Sequence, residues 1–462
     1  MEEIKRIKTG IENLDDKILG GGIPTYSVNI IGGTPGSGKT ILTQQILFNN
    51  ASPKTRTIYF TTVSEPTAKL IHYQRSFDYF DEQKVRDGVV SYVDIGHIIH
   101  RDGLQAGIEA ITAAIDKHSA SIVAIDSFKA VNELAESISA FRQFAYRLCV
   151  ELIAWRCTSF LVGEYNQEAL EKEPIFAVAD GIIHLDNKIQ GVQNRRTLQI
   201  TKMRGVNYFD GIHSLSISKK GIDVFPRAKT PPKLSFEHLG ERKISTGVSG
   251  LNEMTASGLP LGSSTLVAGG AGTGKTTLAL HFLMNGVKNK EPGLMVTYQE
   301  TPDQLEIIGK GFGWNLKKYE EEGLLKIIYT SPVELDIDEH AIAIKKAVEE
   351  GSLKRVVIDN LRDIEIVANN TVRYHDYVYS LVNFFKSKTI TSILTTETEE
   401  LFGVPRLSSG ISFIADNVIL LNYMNVESVI KRAMTVLKVR GSDHDKEIKE
   451  FVITSAGMEV KI

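Results

Sequence analysis

Short apolar runs rich in β-branched residues recur along the chain, each followed by a stretch whose apolar positions fall at helical spacing. In the first half the runs are Ser27–Ile31, Thr57–Thr61, Val89–Ile95, Ile122–Ile125 and Ser159–Val162. In the second half they are Ser264–Ala268, Leu294–Thr297, Leu324–Tyr329, Arg355–Ile358 and Ser392–Thr395. The stretch Thr40–Asn49, with Ile41, Leu42, Ile46 and Leu47, reads as a helix between two of them. Such strands, separated by helices, predict a mostly parallel sheet covered on both faces, an α/β fold. Towards the end of each half the helical pattern stops. Ile182–Leu185, Leu198–Thr201 and Ser214–Ile217 read as consecutive strands, as do Val418–Leu421, Met434–Val439 and Glu450–Thr454. An antiparallel extension is therefore expected on each sheet.

The two halves repeat one pattern. Lys39 and Lys275 are 236 residues apart, as are Arg204 and Arg440, while Asp126 and Asp359 are 233 apart. An offset this stable implies two copies of one fold with small insertions and deletions. The lead-ins also match: Thr9-Gly10-Ile11 answers Thr246-Gly247-Val248, and Gly22-Ile23-Pro24 answers Gly258-Leu259-Pro260. Pro226, Pro231 and Pro232 interrupt regular structure near the join. The expected organisation is a first domain over 1–226, a linker over 227–240 and a second domain over 241–462.

Each copy carries a glycine-rich loop between its first long strand and the helix that follows. The loops are Gly33-Thr34-Pro35-Gly36-Ser37-Gly38-Lys39-Thr40 and Gly269-Gly270-Ala271-Gly272-Thr273-Gly274-Lys275-Thr276. Both read G-x-x-x-x-G-K-T, the P-loop pattern, in which backbone N–H groups cradle phosphates. Glycines leave the amides unobstructed, the lysine neutralises the β- and γ-phosphates, and the threonine hydroxyl holds Mg²⁺. Two such loops in matching context point to two ATP sites with Mg²⁺ as the metal. Parallel strands with an antiparallel extension around a P-loop is a RecA-like layout, so the expected fold is two tandem RecA-like P-loop NTPase domains.

The metal needs a further oxygen ligand or support. Asp126 ends the run Ile122–Ile125, and Asp359 ends Val356-Val357-Ile358. A lone aspartate there would serve equally as a helix cap, but the P-loop upstream favours Mg²⁺ support. Hydrolysis also needs a group to position or deprotonate water, usually a carboxylate after the second strand. Glu65 and Glu300 occupy that place, while Glu164 and Glu397 end a later strand and are candidates for sensing the nucleotide.

Composition narrows the remaining classes. At 462 residues the chain exceeds one ordinary core, and 42% hydrophobic with 24% charged residues is a soluble globular balance. Apolar runs such as Asn417–Leu421 are far too short to span a bilayer, and Met1-Glu2-Glu3-Ile4-Lys5-Arg6 has no secretory character. Cys149 and Cys157 lack metal-binding spacing and read as buried thiols in a reducing cytoplasm. A cytoplasmic location without membrane contact is expected. The net charge of −3 supplies no global attraction to nucleic acid.

Together with Lys202-Met203-Arg204-Gly205 and Lys438-Val439-Arg440-Gly441-Ser442-Asp443-His444-Asp445, these motifs resemble the KaiC family of tandem RecA-like ATPases from end to end. The resemblance implies a homo-oligomer, a hexamer of two stacked rings, with ATP at subunit interfaces. It also implies that Lys202 and Arg204, and likewise Lys438 and Arg440, reach the neighbouring subunit's ATP. A cation supplied in trans would stabilise charge on the transferred phosphoryl group. The family's clock kinase has two adjacent glutamates at each strand end, where this chain has Ser64 and Gln299 in the first position. Neither is a useful general base at neutral pH, although Gln299 could orient a water by hydrogen bonding, so slow hydrolysis relying on Glu65 and Glu300 is expected. The family's phosphorylation site is a Ser-Thr pair. Aligned on Asp416, Ser412 is kept as a possible phosphosite, but Phe413 replaces the threonine and cannot accept phosphate. Phe176 and Ala177 stand at the matching places of the first copy. With Ile462 as the last residue, the expectation is a protein without the C-terminal extension through which the clock protein engages its activating partner, and so without a full clock circuit.

The leading functional expectation is an ATP-driven oligomeric switch whose surface is read by an unknown protein partner. RecA-like cores also serve DNA motors and recombinases. Against that reading, no dense Lys/Arg loop with interleaved aromatics is present, and the cluster Lys5, Arg6 and Lys8 reads as a solvated face. Ser64 and Gln299 also leave open a nucleotide-binding scaffold without turnover.

Overall fold

The computed structural model describes residues 4–62, 66–166, 169, 175–190, 193–229, 242–398 and 410–462. The chain divides into two compact units, Met1–Arg227 and Ala228–Ile462. Of the expected linker over 227–240, only 227–229 fall among the described residues.

In the first unit a short pair, β1 (Arg6–Ile7) and β2 (Ile23–Pro24), precedes the main sheet. The sheet is built from β3 (Val28–Gly33), β4 (Arg56–Thr61), β5 (Val90–Asp94), β6 (Ala120–Asp126), β7 (Thr158–Gly163), β8 (Gly181–Gln190), β9 (Gln193–Met203), β10 (Ile212–Ser218) and β11 (Gly221–Phe225). Its order is β11-β10-β9-β8-β3-β7-β6-β4-β5. The second unit repeats the plan. The short pair is β12 (Lys243–Ile244) and β13 (Leu259–Pro260), followed by β14 (Ser264–Gly269), β15 (Gly293–Thr297), β16 (Leu325–Tyr329), β17 (Arg355–Asp359), β18 (Thr391–Glu397), β19 (Asn417–Val426), β20 (Val429–Val439), β21 (Lys449–Thr454) and β22 (Gly457–Val460). Its order, β16-β15-β17-β18-β14-β19-β20-β21-β22, is the first sheet strand for strand.

Six strands of each sheet run parallel, and β8 and β19 are the hinges of the layout. Each pairs parallel with the central P-loop strand on one side and antiparallel with the next strand on the other. All six residues of β3 and of β14 are buried, as strands covered on both faces require. Successive residues serve opposite faces. Ile30, Phe60, Ile125 and Leu161 pack with the helix Ile138–Ala154, while Ile31, Tyr59, Ala124 and Phe160 pack against Leu42, Ile46 and Leu47 of the helix Lys39–Asn50. Each buried Leu or Ile side chain contributes roughly 1.5–3 kcal/mol. The P-loop is thereby suspended between two independently packed layers.

The last strands, β11 and β22, escaped the sequence pattern. In β11 only Ile222 and Val224 turn inward, around exposed Asp223, and five residues are too few to separate a strand from a turn. Cys149 lies in the helix Ile138–Ala154, and Cys157 immediately precedes β7. Both are buried, which raises their thiols to about 12 and about 11 and makes them unreactive. Among the described residues no helix is long and apolar enough to cross a membrane.

Candidate functional site

Each P-loop leaves the C-terminal end of the central strand and enters a helix. Gly38 and Gly274 precede the helices Lys39–Asn50 and Lys275–Lys288 with φ of 105° and 108°, a left-handed conformation that suits glycine. At Gly33 and Gly269 a Cβ would collide with the carbonyl oxygens of Leu185 and Leu421 on the neighbouring strand. The loop can therefore stay tight only with glycine at its entrance. Lys39 Nζ donates to Thr34 O at 2.8 Å, and Lys275 Nζ donates to the carbonyls of Gly269 and Gly270, both at 2.9 Å. Both ammonium groups therefore lie folded against their own loop. Burial lowers both lysine pKa values, opposed by Glu164 and Asp126 in the first copy and by Glu397, Asp359 and Glu300 in the second. A polyphosphate would satisfy these cations better than carbonyls do.

The hydroxyl and carboxylate expected to share Mg²⁺ meet in both copies. Thr40 Oγ1 donates to Asp126 Oδ2 at 2.9 Å, and Thr276 Oγ1 donates to Asp359 Oδ2 at 2.7 Å. An all-oxygen pair of this kind suits Mg²⁺, which keeps several waters and takes few protein ligands. The copies differ in what steadies the aspartate. Tyr59 donates its hydroxyl to Asp126, whereas Thr395 donates to Asp359. Neither was legible beforehand, because Met295 stands at the position matching Tyr59 and Val162 at that matching Thr395.

Glu300 lines the second cleft with Gln299, Glu397, Lys275, Thr276 and Asp359. Burial raises its pKa, and the nearby carboxylates Asp359 and Asp363 add to the effect. Glu65, its expected counterpart, lies outside the described residues. Glu164 lines the first cleft beside Lys39 and Asp126. The cleft volumes are about 880 and 360 Å³, within the range of small-molecule sites.

The Lys-x-Arg pairs do not join their own P-loops. Arg204 N donates to Asp180 O, and Asp180 N donates to Val28 O at the start of β3. Arg440 N likewise donates to Asp416 O, and Asp416 N to Ser264 O at the start of β14. Five residues separate those starts from Gly33 and Gly269, about 17 Å at strand rise. Lys202 Nζ is held by the carbonyls of Phe176 and Ala177, and Lys438 Nζ by those of Ser412 and Ala415. The guanidinium groups are loosely tethered. Arg204 meets Asp180 at 3.5 Å with 64% of its side chain exposed, and Arg440 meets Asp416 at 3.2 Å with 67% exposed. The long Arg204–Asp180 pair, open to solvent on the arginine side, is worth about 0–1 kcal/mol, whereas Asp416 is buried and already bonded to Lys386, so that Arg440 is its outer, solvent-facing partner.

A different arginine on the same strand does reach its own loop. Arg196 Nε donates to Gly36 O at 3.1 Å, and an Arg432 terminal nitrogen donates to Gly272 O at 3.4 Å. Both line the clefts. Sequence reasoning passed over them, although they are 236 residues apart, the same offset as the P-loop lysines.

Two copies of a RecA-like sheet, each with a P-loop lysine, a Thr–Asp pair and strand-end acids, define a tandem P-loop ATPase. A family model described as "ATPase: KaiC" matches residues 7–229 and again 244–462. The chain belongs to the KaiC family. It is 33% identical over 475 residues to the circadian clock oscillator protein KaiC of Thermostichus vulcanus, covering 99% of this chain and 89% of that protein. It is 31% identical over 476 residues to the protein of that name from Synechococcus elongatus, covering 100% and 90%. The circadian clock oscillator protein KaiC 1 of Synechocystis sp. is 31% identical over 474 residues, covering 99% and 89%.

Proposed function

We propose that this ATPase works as a nucleotide-dependent oligomeric switch, a hexamer in which ATP lies between neighbouring subunits. Lys39 and Thr40 with Asp126, and Lys275 and Thr276 with Asp359, would hold the phosphates and Mg²⁺ of one subunit. Lys202 and Arg204, or Lys438 and Arg440, would come from the next. The observation that carries this reading is the position of each Lys-x-Arg pair at the far end of the sheet from its own P-loop. An exposed, weakly tethered cation about a strand length from its own nucleotide fits service to another copy's nucleotide. Bound ATP would then favour the assembly by mass action, and slow hydrolysis relying on Glu65 and Glu300 would relax it. A protein partner that reads the assembled surface completes the switch, in the cytoplasm and without nucleic acid. The test is solution mass with and without Mg·ATP, together with phosphate release. We expect a monomer or small oligomer to become a hexamer with ATP and to release phosphate slowly. A mass unchanged by nucleotide would sink the interfacial site.

One observation favours an additional weak autokinase activity. Ser412 lies on the short turn Ile411–Phe413, and its carbonyl accepts from Lys438 Nζ at 3.4 Å. A serine beside the cation that meets the neighbour's ATP would approach that γ-phosphate. Intact-mass analysis after incubation with Mg·ATP should find one added phosphoryl group, absent in Ser412→Ala. An unchanged mass removes the kinase reading.

A further inference from the structure

The two nucleotide sites are not chemically equivalent, and the difference lies one layer behind the phosphates. Gln299, exposed at the rim of the second cleft, donates from Nε2 to both oxygens of Asp363, at 3.3 and 3.1 Å. Asp363 sits in the first turn of the helix Leu361–Ala368, four residues after Asp359. Asn360 caps that turn by accepting from the backbone N–H groups of Arg362 and Asp363 at 2.9 and 3.3 Å, which fixes where the Asp363 side chain begins. At the matching position of the first copy, four residues after Asp126, stands Ala130. Only the second copy has a carboxylate in this place.

A carboxylate is an acceptor without a proton to give, so the amide must turn its NH₂ towards Asp363. Its other atom, Oε1, is then the one left for the cleft. We propose that Asp363 is a positioning residue of the second site: it holds the Gln299 amide so that Oε1 accepts a hydrogen bond from the attacking water, beside Glu300. This rests on the reading of Glu300 as the base and on hydrolysis at this site. In that step the water oxygen bonds to the γ-phosphorus and one water proton passes to Glu300. The bond to the ADP oxygen breaks, and ADP leaves with that electron pair. The other water hydrogen keeps its hydrogen bond to Gln299 Oε1, which is neutral throughout. Gln299 thus orients the water without deprotonating it, and a free amide with several rotamers would do so poorly. Anchoring by Asp363 removes that freedom. A purely structural alternative exists, because an acid in the first turn of a helix also complements the helix dipole.

The experiment must separate water orientation from helix stability. The full chain is incubated with Mg²⁺, ADP and aluminium fluoride, which mimics the γ-phosphoryl group with its attacking water, and retained ADP and fluoride are measured after gel filtration. Native protein should trap the complex at both sites. Asp363→Ala should weaken trapping at the second site by about 10²-fold, the scale of a misplaced reactant, and so halve the retained fluoride while ADP alone binds as before. Gln299→Ala should do the same, and the double variant no more, since the two residues act as one unit. Asp363→Asn, whose carbonyl still accepts from the amide, should retain most of the trapping. Trapping by Asp363→Ala equal to native, or additive losses in the double variant, overturns the positioning role alone. A native protein that releases no phosphate overturns the hydrolysis reading first and takes this inference with it.

Discussion

Two inactive variants should regain ATP hydrolysis when mixed. The first, Glu65→Gln with Glu300→Gln, keeps both P-loops and both Lys-x-Arg pairs but lacks the acids proposed to activate water. The second, Arg204→Ala with Arg440→Ala, keeps the acids but has no guanidinium to give. Loss of an arginine supplied to a phosphoryl-transfer site costs about 10³–10⁵-fold in rate, and loss of a general base about 10²–10⁴-fold, so each protein alone should be close to silent. In an equimolar random mixture roughly a quarter of interfaces pair an intact acid with an intact neighbouring arginine. Those interfaces should turn over at the native rate, so the mixture should recover roughly a quarter of native activity against a near-zero background. Within its own unit, each of Arg204 and Arg440 lies beside the start of the strand whose far end carries the P-loop, the placement that the proposed supply to a neighbouring subunit needs. If mixed oligomers form, as judged by native mass, yet activity stays at the level of the unmixed proteins, the donated arginine is wrong.

The residues that carry this argument were unevenly legible in the sequence. Strands buried on both faces announce themselves as apolar runs, and the P-loops as fixed spacing, because both constraints are local. The Thr–Asp pairs could be anticipated for a related reason: Thr40 and Asp126 each lie where one element ends and the next begins, and parallel neighbours bring such ends together. Tyr59, Arg196 and Arg432 could not be anticipated in the same way. Each is mid-strand, where alternate side chains face opposite sides, and reaches the site only because of the sheet order. The same holds for Asp363. A helix-start acid is unremarkable until the fold lays it against Gln299, a strand-end residue that departs from the family's glutamate. The Lys-x-Arg pairs are an instructive middle case. Their sequence was conspicuous, but their placement far from the local P-loop belongs to the long hairpins β8–β9 and β19–β20, whose length the pattern underestimated.

Glu300→Gln should separate catalysis from stability by moving them in opposite directions. In a Glu65→Gln background, where turnover reports the second site, the substitution should lower the rate by about 10²–10⁴-fold. As a base, Glu300 acts ionised, so the rate falls as pH drops through its pKa. Burial, then Asp359 and Asp363, raise that pKa above the ordinary 4.5, so the acid limb should begin at a higher pH than an exposed glutamate would give. The amide that replaces the carboxyl cannot titrate, and what activity remains should lack that limb. The stability effect has the other sign. A carboxyl whose folded pKa is raised is favoured in its protonated form, so it contributes most at low pH. Its ionised form costs stability as pH rises from the unfolded pKa to the folded one, and the cost stays constant above that. Replacing it with a neutral amide of the same shape removes the cost, so the nucleotide-free variant at neutral pH should melt at the native temperature or higher. A structural glutamate would behave differently: its loss would lower the melting temperature along with the rate, and the acid limb would persist in whatever activity survived. Melting curves and rates across pH on the same two proteins decide between these outcomes, and a variant that keeps the native rate would exclude Glu300 as the base.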